Sequence, residues 1–342
     1  MSGRTENEPA CLIIGAGLSG LLAATRLQEA SVAVTVLEAA SVVGGRVATR
    51  QIALPDGTTA TFDHGAQYFT VRDAGFRERV EGWQRAGVVR RWSEGFATPD
   101  SSVYRDGQPR FCGQPAMRAI PQHLARDLDV RLKSPVRAVH HEEQWSLTVE
   151  DGPTFQAPAL IMTPPTLQTL ALLDAGDVQL PPEARSALGS ISYDPCWALL
   201  AVLDGPSHIP APGGLWPDGD VISWMADNQK KAISEAPSVT IHASPEFSRA
   251  HLAADEGVVA RRLLHEAKRW LGADVVQYEI QLWPNSIPRQ LYGERTLFCE
   301  EPGPLAFAGD AFAGPRVEGA ALSGLAAAEA MLKHIVDQSR DS

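Results

Sequence analysis

The sequence predicts an α/β fold in which a Rossmann-like parallel-sheet domain is interrupted by an α+β domain built on a mixed or antiparallel sheet. A strand, a glycine-rich turn, a helix and a second strand follow one another from Cys11 to Glu38, and a further strand and helix are predicted at residues 305–310 and 320–336. Patterns typical of a second sheet lie between these parts, at residues 191–203, 221–224 and 239–243. The first domain is therefore expected to be discontinuous in sequence.

The glycine-rich turn has the sequence Gly15-Ala16-Gly17-Leu18-Ser19-Gly20. A GxGxxG spacing between a strand and a helix is the pattern of a dinucleotide-binding loop. In such a loop Gly15 makes the turn, Gly17 lets the backbone approach a pyrophosphate, and Gly20 lets the helix pack against the strand. Glu38 ends the second strand, where its carboxylate can accept hydrogen bonds from the ribose hydroxyls of an adenosine.

A second glycine pair, Gly44-Gly45, follows Glu38 closely and is succeeded by Arg46. A guanidinium this near the first loop can form charge-assisted hydrogen bonds to a pyrophosphate. The pair and the arginine favour a bulkier and more buried dinucleotide than NAD. The alternative is a glycine turn with a surface arginine.

The remaining elements are assigned from hydrophobic periodicity and turn residues. Strands are predicted at residues 61–69, which end in a turn, and at 130–132, 136–139, 145–149 and 160–163. Helices are predicted at residues 74–86, 114–128 and 257–271, with short antiparallel strands in the turn-rich stretch 90–111. We therefore expect a nucleotide-binding domain of residues 1–75, 115–165 and 288–342, and an inserted substrate domain of residues 76–114 and 166–287.

The C-terminal strand and helix carry a second group of candidate ligand-binding residues. Gly309 and Asp310 end the strand. The Gly44-Gly45-Arg46 stretch resembles the FAD-binding N-terminus of the amine-oxidase-like flavoproteins, and this resemblance implies that the acid at the end of the strand bonds the ribityl chain. Glu318-Gly319-Ala320 open the predicted helix, whose free N–H groups at Gly319 and Ala320 can face the N1–C2=O edge of a flavin and stabilise its reduced, anionic form. Ordinary strand–helix packing is the alternative. Val136, after a Ser-Pro turn, is placed to meet the adenine through its backbone, or is a plain core valine.

Composition argues against several classes of function. The chain of 342 residues has a formal net charge of −11 with no basic stripe to offset it, which argues against a nucleic-acid-binding protein. The four cysteines are far apart, and no spacing of cysteine, histidine or carboxylate residues predicts a disulfide framework or a metal site. The N-terminus lacks an apolar targeting core and no apolar run is long enough to span a membrane, so we expect a cytoplasmic protein without membrane partners.

Several further segments resemble the renalases, a family of FAD-dependent, amine-oxidase-like flavoproteins with a glutathione-reductase-type nucleotide fold. The likeness spans nearly the whole chain and is most specific at residues 63–70 (DHGAQYFT), 192–199 (SYDPCWAL), 227–231 (DNQKK) and 241–243 (IHA). The resemblance implies that Ser19, Arg46 and the Gln67–Tyr68 pair contact FAD. It also implies that Tyr68 and His242 lie near the flavin face where substrate binds.

The motifs and the resemblance together define the expected site. The expected FAD-binding residues are Gly15, Ala16, Gly17, Ser19, Gly20, Glu38, Ala39, Gly45, Arg46, Gln67, Tyr68, Val136, Gly309, Asp310, Glu318, Gly319 and Ala320. The expected substrate-pocket residues are Tyr68, Asn228, His242 and Trp283. FAD is expected to be bound noncovalently, because Cys299 lies too close to Asp310 for the attachment that monoamine oxidases use.

The resemblance implies an oxidase that takes hydride from the 2- and 6-dihydro isomers of NAD(P) and passes the electrons to O2, giving NAD(P)+ and hydrogen peroxide. The chain lacks a second GxGxxG motif, which a reductase docking NADPH on its own nucleotide fold would need. Two alternatives remain open: a flavin amine oxidase acting on a small amine, and a non-catalytic flavin-binding redox sensor. No protein acid or base is assigned, because hydride transfer from a dihydropyridine requires none.

Overall fold

The structure is a computed structural model that describes residues 9–100 and 102–340, with side chains of the last helix described as far as Ile335. The chain divides into two compact units. The first unit comprises Met1–Gly45, Pro121–Ser192 and Pro288–Ser342, and the second comprises Arg46–Ile120 and Tyr193–Ile287.

Runs of consecutive strands, separated by one or two helices, make up most of the described chain. In chain order they are β1 (Cys11–Ile14), α1 (Leu18–Glu29), β2 (Val34–Leu37), β3 (Thr49–Ala53), β4 (Thr59–Asp63), α2 (Ala74–Arg85), β5 (Val89–Ala97), β6 (Val103–Gly113), α3 (Ala119–Ala125), β7 (Asp129–Arg131), β8 (Val136–His141), β9 (Trp145–Val149), β10 (Phe155–Ala157), β11 (Ala159–Met162), α4 (Thr166–Asp174), α5 (Pro182–Ser190), β12 (Tyr193–Leu203), β13 (Gly214–Leu215), β14 (Ile222–Asp227), β15 (Ser238–Ala243), α6 (Pro245–Ala250), α7 (Glu256–Leu271), β16 (Val275–Pro288), β17 (Leu297–Cys299), β18 (Leu305–Phe307) and α8 (Arg316–Arg340).

The first unit is built on a six-stranded sheet in the order β17-β18-β11-β1-β2-β7. β1 pairs in parallel with β2 and β11, and all four of its residues are buried, as expected for a central strand of a covered parallel sheet. α8 approaches α1 so closely that a Cβ at Gly324 would lie 2.0 Å from the carbonyl oxygen of Ser19. An antiparallel sheet of β8, β9 and β10 completes the unit.

The second unit is built on a seven-stranded sheet in the order β16-β12-β15-β14-β13-β5-β6. β12–β15, β15–β14, β14–β13 and β5–β6 pair antiparallel, and β13 pairs in parallel with β5. The amphipathic helix α7 begins at its N-cap Asp255, whose side chain accepts from the N–H of Val258, and ends at Gly272 with a left-handed φ of +70°. Its apolar face packs on the core of this unit through residues such as Leu263. The two sheets confirm the predicted α/β fold class.

Three element predictions need correction. Residues 90–111 form the two long strands β5 and β6 rather than short ones. The helix predicted at 114–128 covers only α3, because Pro115 cannot occupy a helix interior without loss of a hydrogen bond. β16 was not predicted; it contains Pro284, which an edge strand tolerates and which interrupts the hydrophobic pattern.

The boundaries of the compact units differ from those expected. Residues 46–75 and 115–120 belong to the second unit, and residues 166–192 belong to the first. The β3–β4 hairpin explains part of this difference, since Asp63 at its end is bonded to groups of the second unit. None of the helices in the described part of the chain is both long and apolar enough to cross a membrane.

Candidate functional site

The glycine-rich loop of the first unit has two positions at which only glycine fits. Gly15 has a φ of +100°, and a Cβ there would lie 2.5 Å from Oγ1 of Thr163. A Cβ at Gly20 would lie 2.0 Å from the carbonyl oxygen of Gly15. Gly15 therefore makes the turn and Gly20 allows α1 to pack on the end of β1, as the sequence predicts.

Gly17 differs from these two glycines because nothing in the protein requires it. Its φ of −74° and ψ of 177° are ordinary for any residue, and a Cβ there would meet no atom within 4 Å. Gly44 donates its N–H to the carbonyl of Ala16 at 2.9 Å, and a Cβ at Gly45 would lie 3.6 Å from Cα of Gly17. The two glycine segments thus border open space, which fits close approach of a ligand to the backbone.

Polar groups of the same loop also fit a dinucleotide. Oγ of Ser19 is buried and has no hydrogen-bond partner among the described residues. The carboxylate of Glu38 accepts the N–H groups of Ala16 and Ala40, each at 2.8 Å, and these bonds fix its orientation. An anchored carboxylate and an unsatisfied hydroxyl are groups that a ribose and a phosphate can engage.

The C-terminal candidates lie at the end of β18 and the start of α8. Asp310 is buried, and Gly309 donates its N–H to Oγ of Ser323 at 2.9 Å. The helix begins at Arg316 rather than at residue 320, so Ala320 is its fifth residue and lies past the first four N–H groups, which a helix leaves without an internal partner. Its contact with FAD stays a prediction. Gly319 is within the first four residues, and a Cβ there would lie 1.7 Å from the carbonyl oxygen of Gly314.

Three other expected FAD-binding residues have simple surroundings. Ala39 is exposed in the turn after β2, and Glu318 is half-buried in the first turn of α8. Val136 is half-buried at the start of β8, where it pairs with Val149. Their roles stay predictions.

In the second unit, Arg46 is held by the backbone of β16. Its Nη1 donates to the carbonyls of Asn285 and Ser286 at 3.3 and 3.1 Å, and its guanidinium lies 5.9 Å from the centre of the Tyr193 ring. These contacts orient the guanidinium, and its bond to an anion stays a prediction.

Gln67 and Tyr68 lie in a tightly bonded turn after β4. The amide of Gln67 donates to the carbonyls of Asp63 and Gly65, while its Oε1 is buried with no partner among the described residues. The ring of Tyr68 packs 5.5 Å from that of Trp224. It belongs to what we call the aromatic cluster, which consists of Tyr68, Trp92, Phe96, Trp216 and Trp224.

His242 and Trp283 converge on the carbonyl oxygen of His64. Nε1 of Trp283 donates to it at 2.9 Å, and Nε2 of His242 lies 3.2 Å from it. The His64 ring stacks on Trp283 with centroids 5.2 Å apart, and its buried Nδ1 has no partner among the described residues. Two expected pocket residues, on β15 and β16, are therefore brought together at a residue that sequence reasoning did not single out.

Both histidines of this group are held in the neutral form. Burial lowers the pKa of His64 to about 4, with further lowering by the positive charges of Arg50 and Arg118. Burial also lowers the pKa of His242 to about 4. The positive charge of Lys231 lowers this pKa further, whereas the hydrogen bond to His64 raises it in part. The histidine pair is thus uncharged at neutral pH and lies in a positively charged neighbourhood.

Asn228 is placed differently from the other expected pocket residues. Its side chain is fully buried and donates to Oγ1 of Thr240 at 3.1 Å, and Thr240 donates in turn to the carbonyl of Asp63. This geometry favours a supporting role over substrate contact. The sequence analysis does not single out Asp63 or Lys231 as functional residues, although Lys231 lies in the DNQKK segment that carries the family resemblance.

Comparison with known proteins gives two family matches. Residues 13–78 match the profile described as "NAD(P)-binding Rossmann-like domain", and residues 76–332 match "Flavin containing amine oxidoreductase". Renalase of Mus musculus is 25% identical over 274 residues, covering 75% of this chain and 78% of that protein. Polyamine oxidase 5 of Oryza sativa subsp. japonica is 29% identical over 248 residues, covering 63% of this chain and 47% of that protein.

Solved structures share the fold at low sequence identity. Cyclohexylamine oxidase from Brevibacterium oxydans IH-35A has a TM-score of 0.74 at 15% identity, covering 96% of this chain and 99% of that one. A variant of putrescine oxidase has a TM-score of 0.68 at 16% identity, covering 95% and 99%.

Proposed function

Because the chain belongs to the flavin-containing amine oxidoreductase family, and is therefore an FAD-dependent oxidoreductase, we propose that it is a renalase-like oxidase of misreduced NAD(P). The substrates are the 2- and 6-dihydro isomers of NAD(P)H. One isomer, one proton and one O2 give NAD(P)+ and one hydrogen peroxide. Bound FAD supplies the acceptor for the hydride and the route of two electrons to O2.

The observation that carries this proposal is the charge around the His64–His242 pair. Arg50, Arg118 and Lys231 are the charges that help to hold the histidines neutral. Two of these cations are paired, Lys231 with Asp63 at 2.7 Å and Arg50 with Glu279, whereas Nε of Arg118 is buried with no partner among the described residues. Arg118 therefore leaves a net positive charge beside the histidines. A positive neighbourhood disfavours a cationic amine and favours a substrate that carries phosphates.

The basicity of the same pair supports the dihydropyridine substrate as well. A group whose pKa is about 4 is too weak a base to deprotonate an alkylammonium at neutral pH. A dihydropyridine carries no such proton, so the protein has only to orient the ring. The side chains of His242, Trp283 and Tyr68 would line the substrate pocket and orient the ring by apolar contacts and hydrogen bonds.

The cofactor assignments follow the contacts already described. Gly17, Ser19 and Glu38 would hold the pyrophosphate and adenosine of FAD, and Arg46 would bind the pyrophosphate. Oε1 of Gln67, buried without a partner, would accept an N–H from the cofactor. The four cysteines are buried and unpaired, which supports noncovalent FAD and the expected cytoplasmic location.

The experiment is anaerobic mixing of the purified protein with 2-, 4- and 6-dihydroNAD(P) and with simple amines, read as bleaching of the flavin band. We expect the 2- and 6-dihydro isomers to bleach the flavin faster than the 4-dihydro form or any amine. Tyr68→Ala and His242→Ala should slow bleaching while FAD stays bound. Tyr104→Ala and His140→Ala are the matched controls, since Tyr104 is exposed and His140 lies on β8 of the other unit.

The outcomes separate the remaining alternatives. Bleaching by amines and not by the dinucleotide isomers would establish an amine oxidase, the activity that the names of the structural relatives state for those proteins. A flavin that no donor reduces would indicate a non-catalytic redox sensor. Equal rates in the Tyr68 variant and its control would remove Tyr68 from the proposed site.

A further inference from the structure

A lysine and an aspartate are completely buried together in the second unit. Nζ of Lys231 lies 2.7 Å from Oδ2 of Asp63, and both side chains are 0% exposed. Removing two charges from water costs so much that a buried ion pair is weak evidence for a stabilising role. The pair therefore requires another explanation, which lies in what else the ammonium binds.

The ammonium of Lys231 connects three parts of the unit. Besides Asp63, it donates to the carbonyl oxygen of Gln67 at 2.7 Å and lies 4.8 Å from the centre of the Trp92 ring. Asp63 is anchored independently, because its Oδ1 accepts from Oγ1 of Thr49 at 2.6 Å and from the N–H of Met117 at 3.0 Å. One side chain thus ties the two ends of the turn 63–67 to each other and to the aromatic cluster.

The position of Lys231 is itself fixed. Its N–H donates to the carbonyl of Asp227, and its carbonyl accepts from the guanidinium of Arg90 on β5. The loop that carries Lys231 connects β14 and β15, and His242 lies on β15, where it pairs with Trp224 of β14. Lys231 is therefore a rigid donor rather than a flexible side chain that happens to reach Gln67.

The bonded carbonyl belongs to the peptide bond between Gln67 and Tyr68. Fixing its direction restricts ψ of Gln67 and φ of Tyr68, two of the backbone angles that determine whether the Gln67 amide meets Asp63 and the Tyr68 ring meets Trp224. We infer that Lys231 is a positioning residue, which sets the geometry of the Gln67–Tyr68 pair through this carbonyl while Asp63 neutralises its charge. The inference rests on the proposed function for the role of that pair.

The test separates the charge of Lys231 from its hydrogen bond. Lys231→Met alone leaves the buried carboxylate of Asp63 without its counter-charge, so it would unfold the protein for reasons unrelated to Gln67. The double variant Lys231→Met/Asp63→Asn removes both charges and the donor. The double variant Lys231→Gln/Asp63→Asn also removes both charges but keeps an amide donor, one bond closer to the backbone than Nζ of the lysine.

Two readouts need no substrate: the visible flavin spectrum, and the near-ultraviolet circular dichroism of the aromatic cluster. A third is the rate of flavin bleaching with whichever donor reduces the wild type. We expect the Met/Asn variant to fold and bind FAD, with altered spectra and bleaching at least tenfold slower than wild type. The Gln/Asn variant should recover a clear part of both.

Lys230→Met/Asp227→Asn is the matched control. Lys230 is the neighbouring lysine in the same loop and has its own aspartate, Asp227, at 3.2 Å, but it donates to the carbonyls of Ser207 and Ile209 instead of Gln67. This variant should keep wild-type spectra and rate. If the Met/Asn variant also keeps them, or if the Gln/Asn variant is no better than the Met/Asn variant, Lys231 is structural and the inference is wrong. If no donor reduces the wild type, the proposed function fails, while the two spectra still decide the role of Lys231.

Discussion

Two glycines of the first loop provide a matched test of ligand binding against packing. At Gly17 a Cβ would meet no protein atom, whereas at Gly20 it would lie 2.0 Å from the carbonyl oxygen of Gly15. Both substitutions add one methyl group to the same hexapeptide. We expect Gly17→Ala to impair FAD binding without destabilising the apoprotein, and Gly20→Ala to destabilise the apoprotein itself.

The magnitudes follow from these surroundings. Alanine at the ordinary dihedral angles of Gly17 is expected to stabilise the apoprotein by about 0.4–1 kcal/mol, because it restricts the unfolded chain. Loss of a hydrogen bond to a charged phosphate costs about 1.5–3 kcal/mol, which lowers FAD affinity by roughly 10- to 150-fold. At Gly20 the added Cβ and the carbonyl oxygen of Gly15 must separate by about 1.4 Å, from 2.0 Å to the 3.4 Å of an ordinary contact. Such overpacking costs about 1–3 kcal/mol.

The assay is thermal unfolding of both variants with FAD removed, followed by FAD titration read by quenching of flavin fluorescence. The reasoning about Gly17 is refuted if Gly17→Ala binds FAD as tightly as the wild type, because the open space would then not receive the pyrophosphate. A Gly20→Ala apoprotein with the wild-type Tm would refute the argument that α1 packs on Gly15.

Three further predictions concern the cofactor and the histidine pair. Acid precipitation should release the yellow colour into the supernatant; colour retained in the pellet would show a covalent link. Arg46→Ala should weaken FAD binding by roughly ten- to hundredfold through loss of a charge-assisted bond, whereas the exposed Arg126→Ala should not, as measured by FAD titration. Because the pKa of His64 and His242 is about 4 in the folded protein against 6.5 ordinarily, the unfolded chain binds more protons between these values. The free energy of unfolding should therefore fall as pH falls from 6.5 to 4 and this contribution should level off below 4; urea titrations of a His64→Gln/His242→Gln variant should show a flatter pH dependence in that window, and an unchanged slope would contradict it.

The parts predicted best from sequence are those in which a local pattern determines local structure. Expectation and structure agree for the strand Cys11–Ile14, for the glycine loop and for the end of β2 at Leu37. The conformation of each depends on residues that are close together in the chain. The same holds for α7, which is predicted at residues 257–271 and lies at Glu256–Leu271. These signals required no knowledge of tertiary contacts.

The convergence on His64 could not be predicted in this way. Its carbonyl meets Trp283 and His242, which lie 219 and 178 residues further along the chain. No periodicity encodes such a meeting, and the strand that carries Trp283 lacked a clear pattern. The ion pair of Lys231 and Asp63 could not be predicted for the same reason, since a lysine in a polar loop normally predicts exposure.

The edge strand β16 links two parts of the second unit through its register. The side chain of Trp283 bonds the carbonyl of His64, and two and three residues further on the backbone carbonyls of Asn285 and Ser286 bond Arg46. A slip of one residue against β12 would turn Trp283 to the opposite face and exchange the carbonyls offered to Arg46. Single-residue insertions or deletions between Val275 and Leu282 should therefore disturb the histidine pair and the arginine together, even though the inserted residue touches neither.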